Sequence, residues 1–147
     1  MHVLPSDFKD FLKLLIKHHV EYLLVGGYAV AYYGYIRATE DMDIWINTNP
    51  DNAKKIVAAL KEFGMDAAKL SDEFFLKEHQ VIRMGLPPFR IEVLTTISGV
   101  TFKSCYENKL AEQIDGVTIN LINLNDLKEN KKAAGRLNDL NDLEQLK

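Results

Sequence analysis

The run Asp-Met-Asp-Ile-Trp-Ile at residues 41–46 restricts the fold more than any other segment of the chain. Polar and apolar residues alternate in it, which predicts a strand whose successive side chains point to opposite faces of a sheet. Asp41 and Asp43 then share one face, and the apolar residues between them face the core. Packing of the strand does not require two acids, and carboxylates so close repel each other unless a cation or a proton is present. The run therefore predicts a sheet with a cation-binding face.

A third acid, Glu92, lies in the apolar run 90–94, which is also predicted to be a strand. An acid there is unfavourable unless it faces solvent or a metal ion. Mg²⁺ typically takes one or two carboxylates together with the phosphates of a substrate. We therefore expect Asp41, Asp43 and Glu92 to be catalytic residues that bind Mg²⁺ or Mn²⁺ in two-metal phosphoryl transfer, with Glu92 as base toward the acceptor. The alternative is a solvated sheet face on which lysines or arginines separate the acids.

Gly26 and Gly27 follow the apolar run 22–25, which reads as a short buried strand. A strand that ends in glycines and passes into a helix leaves backbone N–H groups pointing at open space, and such a helix start attracts phosphate. Glycine is favoured there because a side chain would hold a triphosphate at a distance. We expect the pair to bind nucleotide. The alternative is a plain turn between strand and helix.

Four further residues are candidates for binding the nucleotide. Arg37 and Thr39 precede the acidic strand, and a planar guanidinium matches two phosphate oxygens. The alternative for Arg37 is a surface salt bridge to Glu40 or another acid. Lys131 and Arg136 are expected to reach the triphosphate or the acceptor from the C-terminal helical region. The alternative for this pair is a solvated basic face.

The hydrophobic periodicity predicts a single α/β (α+β) domain over residues 1–147, with a mixed β-sheet and helices packed against it. The predicted helices cover residues 6–18 with Ser6 as N-cap, 26–33, 50–63 with Asn49 as N-cap, and a region that begins after Asn123 and divides at Gly135. The predicted strands are residues 22–25, 41–46, 80–84, 89–94 and 117–121, with a four-residue hairpin turn at 85–88. Residues 95–113 show no clear pattern.

Composition excludes several classes of protein. The net charge of −3 and the lack of a long basic run give no strong signal for nucleic-acid binding. The apolar stretches are much shorter than the roughly 20 residues that a bilayer requires, and the beginning of the chain does not resemble a signal peptide. The single cysteine, Cys105, excludes an internal disulfide. We therefore expect a folded cytoplasmic protein.

Together these motifs resemble the DNA polymerase beta-like nucleotidyltransferase superfamily. A Gly-Gly pair, thirteen intervening residues, an Asp-x-Asp strand and an acid on a later strand follow that superfamily's pattern, with Glu92 in the place of the third carboxylate. Small bacterial and archaeal members, including those of toxin and antitoxin systems, are more similar still. The residues that carry this closer resemblance are Gly26-Gly27-Tyr28-Ala29, Gly34, Arg37, Thr39, Asp41-Met42-Asp43, Lys131-Lys132-Ala133-Ala134-Gly135-Arg136, Asp139 and Asp142.

The resemblance implies a nucleotidyltransferase fold and transfer of a nucleoside monophosphate from a nucleoside triphosphate to an acceptor. The acceptor stays open between a protein side chain, an RNA end and a small molecule such as an aminoglycoside or lincosamide antibiotic. A partner protein, as in toxin and antitoxin pairs, is a further expectation, because larger members of the superfamily append domains that bind the acceptor. The competing hypothesis is a component that binds nucleotide or a partner without catalysis.

Overall fold

The computed structural model describes residues 4–39, 41–66, 70–86 and 88–146, and its centre is a mixed β-sheet. The strands are β1 (Tyr22–Val25), β2 (Asp41–Ile46), β3 (Val81–Met84), β4 (Arg90–Leu94), β5 (Leu110–Ile114) and β6 (Val117–Leu121). The helices are α1 (Ser6–Lys17), α2 (Gly26–Tyr32), α3 (Pro50–Phe63), α4 (Phe102–Glu107), α5 (Leu124–Ala134) and α6 (Leu137–Gln145), with a short 3-10 helix at Glu73–Leu76. The predicted mixed α/β architecture is confirmed.

The strand order is β3-β4-β2-β1-β6-β5, so β2 and β1 lie in the middle of the sheet. β2 runs antiparallel to β1 and parallel to β4, and β1 runs parallel to β6. Two antiparallel hairpins, β3 with β4 and β5 with β6, form the edges. With these directions, the end of β1 and the beginnings of β2 and β4 meet on one side of the sheet. The glycine pair and the acidic strands therefore come together there.

The helix α3 begins and ends as its sequence predicts. The Asn49 side chain accepts a hydrogen bond from the backbone N–H of Asn52 at 2.8 Å, and Pro50 occupies the first helical position. Gly64 ends the helix with a φ of 112°, a conformation that glycine adopts without strain. α3 packs against α1, with the rings of Phe11 and Phe63 edge to face at 5.1 Å.

The prediction for the start of α1 is wrong by one residue. Pro5 is the N-cap, and its carbonyl accepts a hydrogen bond from the backbone N–H of Lys9 at 3.1 Å. Its backbone is extended, with a φ of −53° that the proline ring imposes. Ser6 is the first residue inside the helix and makes no capping hydrogen bond. The helix ends at Lys17, and His18 is its C-cap.

The stretch 95–113, for which the sequence showed no pattern, contains α4 and most of β5. β5 is an edge strand that pairs only with β6, and of its side chains only Ile114 is buried. An edge strand with little buried surface has no need of alternating apolar residues, so periodicity does not reveal it. The five strands that the sequence predicts differ from the observed ones by at most one residue at either end. Pro87 of the predicted hairpin turn lies outside the described residues.

The C-terminal region forms the predicted pair of helices. Asn123 accepts a hydrogen bond from the backbone N–H of Asp126 at 2.9 Å and so caps α5, and Gly135 separates α5 from α6 with a φ of 66°. The hydrophobic core is built mainly from α1, α3 and the four inner strands of the sheet. Within the described ranges, every helix is too short or too polar to cross a membrane.

Candidate active site

A cleft of about 770 Å³ lies where β1 ends and β2 and β4 begin. Nine of its lining residues are those that the sequence singled out, and they come from distant parts of the chain: Gly26, Gly27, Arg37, Thr39, Asp41, Asp43, Glu92, Lys131 and Arg136. Its volume lies within the roughly 300–1,000 Å³ of small-molecule sites in proteins. The structure therefore brings the predicted site residues together around one cleft that is large enough for a nucleotide.

Strand register places the three predicted carboxylates on one face of the sheet. In the parallel pairing of β2 with β4, Asp43 lies opposite Glu92, and Asp41 lies opposite Arg90. Neighbouring strands are only about 4.8 Å apart, so Asp43 and Glu92 are adjacent acids. On the other side of Glu92, β3 contributes Arg83 at the same level.

Arginines neutralise two of the three carboxylates. The Arg90 Nε donates to Asp41 Oδ1 at 2.9 Å, and its Nη2 lies 3.3 Å from Asp41 Oδ2. The Arg83 Nε donates to Glu92 Oε1 at 3.1 Å. Sequence reasoning named neither arginine as a site residue. The signal for Arg90 was its position two residues before Glu92 on a strand, which puts both side chains on one face.

Asp43 is a partly buried carboxylate with two other acids nearby. Burial raises its pKa, and the nearby Glu92 and Asp41 raise it further, to about 7. Lys131 and Arg136 act in the opposite direction but do not cancel these effects. Near neutral pH the site therefore favours a bound proton or a cation at Asp43.

The glycine pair is required by the site's own side chains. Gly26 has a φ of +70°, and a Cβ atom there would overlap the Asp43 carboxylate. A Cβ atom on Gly27 would lie 2.5 Å from the Thr39 hydroxyl oxygen. Both glycines thus allow the loop before β2, and β2 itself, to lie against the start of α2. This reason is additional to the predicted contact with phosphate.

The remaining three predicted residues belong to a charged network between the loop before β2 and the C-terminal helices. Arg37 binds Asp142 through two hydrogen bonds, of 2.7 and 2.9 Å. Lys131 contacts Asp142 at 3.0 Å and Asp139 at 3.2 Å, and Arg136 contacts Asp139 at 2.6 Å. Positive and negative side chains therefore alternate along the network. We name it the C-terminal charge network, and it fixes α5 and α6 to the rim of the cleft.

Burial differs among the members of the C-terminal charge network. Lys131, Asp139 and Asp142 are buried, so a solvated basic face is the wrong description of Lys131. The side chain of Arg136 is 79% exposed. Burial alone would raise the pKa of both aspartates, but hydrogen bonds from Arg136, Arg37 and Lys131 outweigh it, and both pKa values are lowered. Arg37 forms its salt bridge with another acid, the buried Asp142, and Glu40 lies outside the described residues.

The donor atoms around Asp43 suit a hard divalent cation. Three carboxylates supply oxygen ligands, and the raised pKa of Asp43 reflects negative charge that such an ion would neutralise. As arranged, with Asp41 and Glu92 paired to arginines, the described residues include no ready cluster of three metal ligands. A metal ion that binds these oxygens would therefore compete with the arginine contacts.

The mixed sheet, the glycine turn and the carboxylates on two parallel strands are consistent with a nucleotidyltransferase-like fold. The model of the aminoglycoside-2''-adenylyltransferase family matches residues 7–143, and the chain belongs to this family. The predicted nucleotidyltransferase class is thereby confirmed. The matching family is one of antibiotic resistance, and the match does not relate the chain to toxin and antitoxin systems. No curated protein matches the chain.

Proposed function

We propose that the protein transfers a nucleoside monophosphate from a nucleoside triphosphate to an acceptor hydroxyl, with the help of Mg²⁺ or Mn²⁺. The observation that carries the proposal is the placement of Asp43 beside Glu92, over the glycine turn, inside a cleft of nucleotide size. Adjacent, partly buried acids repel each other, so an arrangement of this kind is typical of a site that binds a cation. The family match supports the same chemistry.

The acceptor that we propose is an aminoglycoside, and the donor is ATP. Support comes from the family's description as an aminoglycoside-2''-adenylyltransferase. An aminoglycoside carries several hydroxyls, and the cleft offers polar side chains to them. Among the polar lining residues on the side of α5 and β4 are Thr96, Ser98 and Asn130.

In this proposal the acceptor oxygen bonds to the α-phosphorus while the bond from that phosphorus to the bridging oxygen breaks, and pyrophosphate leaves. Glu92 receives the proton of the acceptor hydroxyl. Asp41, Asp43 and Glu92 would hold the metal ions, which when bound would neutralise charge on the phosphates and on the leaving pyrophosphate. Backbone N–H groups at Gly26 and Gly27 bind phosphate oxygens, because the first N–H groups of a helix have no partner within it.

We assign different roles to the three basic residues. Arg136 also pairs with Asp139, but its side chain is 79% exposed at the cleft, so we propose that it contacts the triphosphate. Arg37 and Lys131 are committed to buried aspartates, and we propose that they position the rim of the cleft. Thr39 fills the space beside Gly27 and holds the turn in place.

The direct test is transfer of label from α-³²P-ATP to a panel of aminoglycosides in the presence of Mg²⁺. We expect a labelled aminoglycoside and one pyrophosphate released per transfer. Asp43→Asn is expected to abolish transfer. Lys55→Gln, which removes an exposed charge on α3 away from the cleft, is expected to leave it unchanged. Pyrophosphate release without label in any aminoglycoside would reject this acceptor while preserving the nucleotidyltransferase proposal.

A protein acceptor or partner, as in toxin and antitoxin pairs, is the second candidate. One observation favours it: Leu137 is 85% exposed next to Arg136, and Leu140 on the same helix is also exposed. Apolar side chains at the rim of a cleft suit contact with another protein. Incubation with labelled ATP and cell extract separates the candidates, because the fraction that takes up label, whether protein, RNA or small molecules, identifies the acceptor. A component without catalysis would bind ATP and Mg²⁺ in calorimetry and transfer no label.

A further inference from the structure

Five charged side chains lie on one face of the sheet, and four of them, all but Arg90, line the cleft. Asp41 and Arg90 form one row across β2 and β4, and Asp43, Glu92 and Arg83 form the next row across β2, β4 and β3. Both arginines are bound to acids that the proposed function assigns to the metal ions. The strand register sets the backbone positions of both arginines, so neither belongs to a loop.

The two arginine contacts differ in strength. Arg90 engages both oxygens of Asp41, at 2.9 and 3.3 Å, and both side chains are partly buried. Arg83 makes one contact to Glu92, and its side chain is 62% exposed. Two parallel hydrogen bonds to a charged acceptor are stronger than a single exposed one, which solvent and salt weaken. Arg90 is therefore the stronger competitor for the carboxylates.

A guanidinium and a divalent cation compete for the same carboxylate oxygens, and each repels the other. The five side chains together carry one negative charge when the carboxylates are ionised. Two divalent cations alone would make this face of the sheet strongly positive, whereas a triphosphate bound with them supplies the compensating negative charge. The same triphosphate offers the arginines new partners, because guanidinium groups pair with phosphate as they do with carboxylate.

We infer that Arg90 and Arg83 are placeholder cations, which occupy the carboxylates of the metal-free protein and make metal binding depend on the nucleotide. Metal ions alone bind weakly because they must displace the arginines. Metal ions with a triphosphate bind tightly because the arginines move to the phosphates. The inference rests on the proposed function, since it takes the three carboxylates as the metal ligands. Arg90 and Arg83 are therefore positioning residues, which hold Asp41 and Glu92 in place.

The test measures Mn²⁺ binding by electron paramagnetic resonance, with and without a non-hydrolysable ATP analogue. Without nucleotide, Arg90→Gln is expected to bind Mn²⁺ about tenfold more tightly than the wild type, and Arg83→Gln about two- to threefold more tightly. Lys55→Gln changes the net charge equally, away from the cleft, and is expected to bind as the wild type does. The gain in Mn²⁺ affinity on adding the analogue is expected to be smaller in Arg90→Gln than in the wild type.

The outcomes separate this inference from the proposed function. Equal Mn²⁺ affinity in the wild type, Arg90→Gln and Arg83→Gln, with tight binding once the analogue is present, overturns the inference and leaves the proposed function in place. Absence of Mn²⁺ binding in every variant, with and without the analogue, overturns both. Circular dichroism checks that Arg90→Gln folds. If Arg90→Gln does not fold, the Mn²⁺ affinities of Arg83→Gln and of the charge-preserving Arg90→Lys test the inference. The affinity of Arg90→Lys is expected to lie between those of the wild type and Arg83→Gln.

Discussion

The Asp43 carboxylate lies in the space that a side chain on Gly26 would occupy. A residue other than glycine would therefore displace the Asp43 carboxylate. The positive φ at position 26 would also strain the backbone of that residue. The glycine turn and the Asp43 carboxylate are in contact, so a change in the turn also changes the position of the carboxylate.

Gly26→Ala is expected to lower the rate of nucleotidyl transfer about 100-fold or more, because displacement of a catalytic group by an ångström has effects of this size. Gly34→Ala is the matched control. Gly34 also has a positive φ, of 109°, but a Cβ atom there would meet no other atom within 4 Å. Gly34→Ala is expected to lose about 1–2 kcal/mol of stability from backbone strain, and Gly26→Ala more, because its Cβ atom would also overlap Asp43. Equal rates in the two variants would contradict the prediction.

Asp43 is expected to make the stability of the metal-free protein depend on pH. Its pKa of about 7 in the folded state lies above the ordinary value of 3.8, so the folded protein binds a proton that the unfolded chain releases. The free energy of unfolding should therefore fall as pH rises from about 4 to about 7. Asp43→Asn removes this dependence and should be more stable than the wild type at pH 8, by on the order of 2 kcal/mol. Urea denaturation with a chelator present measures both proteins, and parallel pH curves would exclude the effect.

Asp142→Asn is expected to destabilise the protein by about 3–5 kcal/mol, because it leaves Lys131 and Arg37 without their shared buried carboxylate. Glu144→Gln, an exposed acid on the same helix, is the control and should change the stability by about 0.5 kcal/mol or less. Urea denaturation of the two variants provides the comparison. A loss of similar size in both would show that α6 does not depend on the buried charges.

Arg136 and Arg37 are expected to respond differently to loss of charge. Arg136→Gln should raise the KM for ATP about tenfold, because a charge-assisted contact to phosphate is lost. Arg37→Gln should mainly lower the stability, because Asp142 loses two partly buried hydrogen bonds. The loss of stability in Arg136→Gln should be smaller, because its side chain is 79% exposed and solvent weakens its contact with Asp139. Lys132→Gln, an exposed neighbour, is the control for both. Steady-state kinetics and thermal unfolding give the two readouts, and a KM unchanged in Arg136→Gln would remove this residue from the nucleotide site.

Local sequence patterns predicted the parts of the fold that are governed by local physics. Alternation in residues 41–46 placed Asp41 and Asp43 on one face, and strong caps at Asn49 and Asn123 placed the starts of two helices. These features depend on side-chain direction and on hydrogen bonds within a few residues. The same reasoning brought Glu92 into the site, because an acid in an apolar strand needs a polar partner.

Features that depend on long-range pairing were not predicted. The pairing of Asp41 with Arg90 requires the parallel register of β2 and β4, which no local pattern encodes. The helix α6 is a stronger example, because it buries Asp139 and Asp142 and exposes Leu137. Hydrophobic periodicity assigns such a helix the opposite orientation. The charges of the buried Lys131 and the partly buried Arg37 determine which face turns inward, and their positions are known only once the chain is folded.

Arg37 and Asp142 are 105 positions apart, yet their contact holds the rim of the cleft. During synthesis, Asp41, Asp43 and Glu92 emerge long before α6, which carries Asp142. A nascent chain, or a fragment cleaved ahead of α6, therefore contains all three carboxylates but lacks the partner of Arg37. Under the proposed function, we expect such incomplete chains to transfer no nucleotide until α6 has docked.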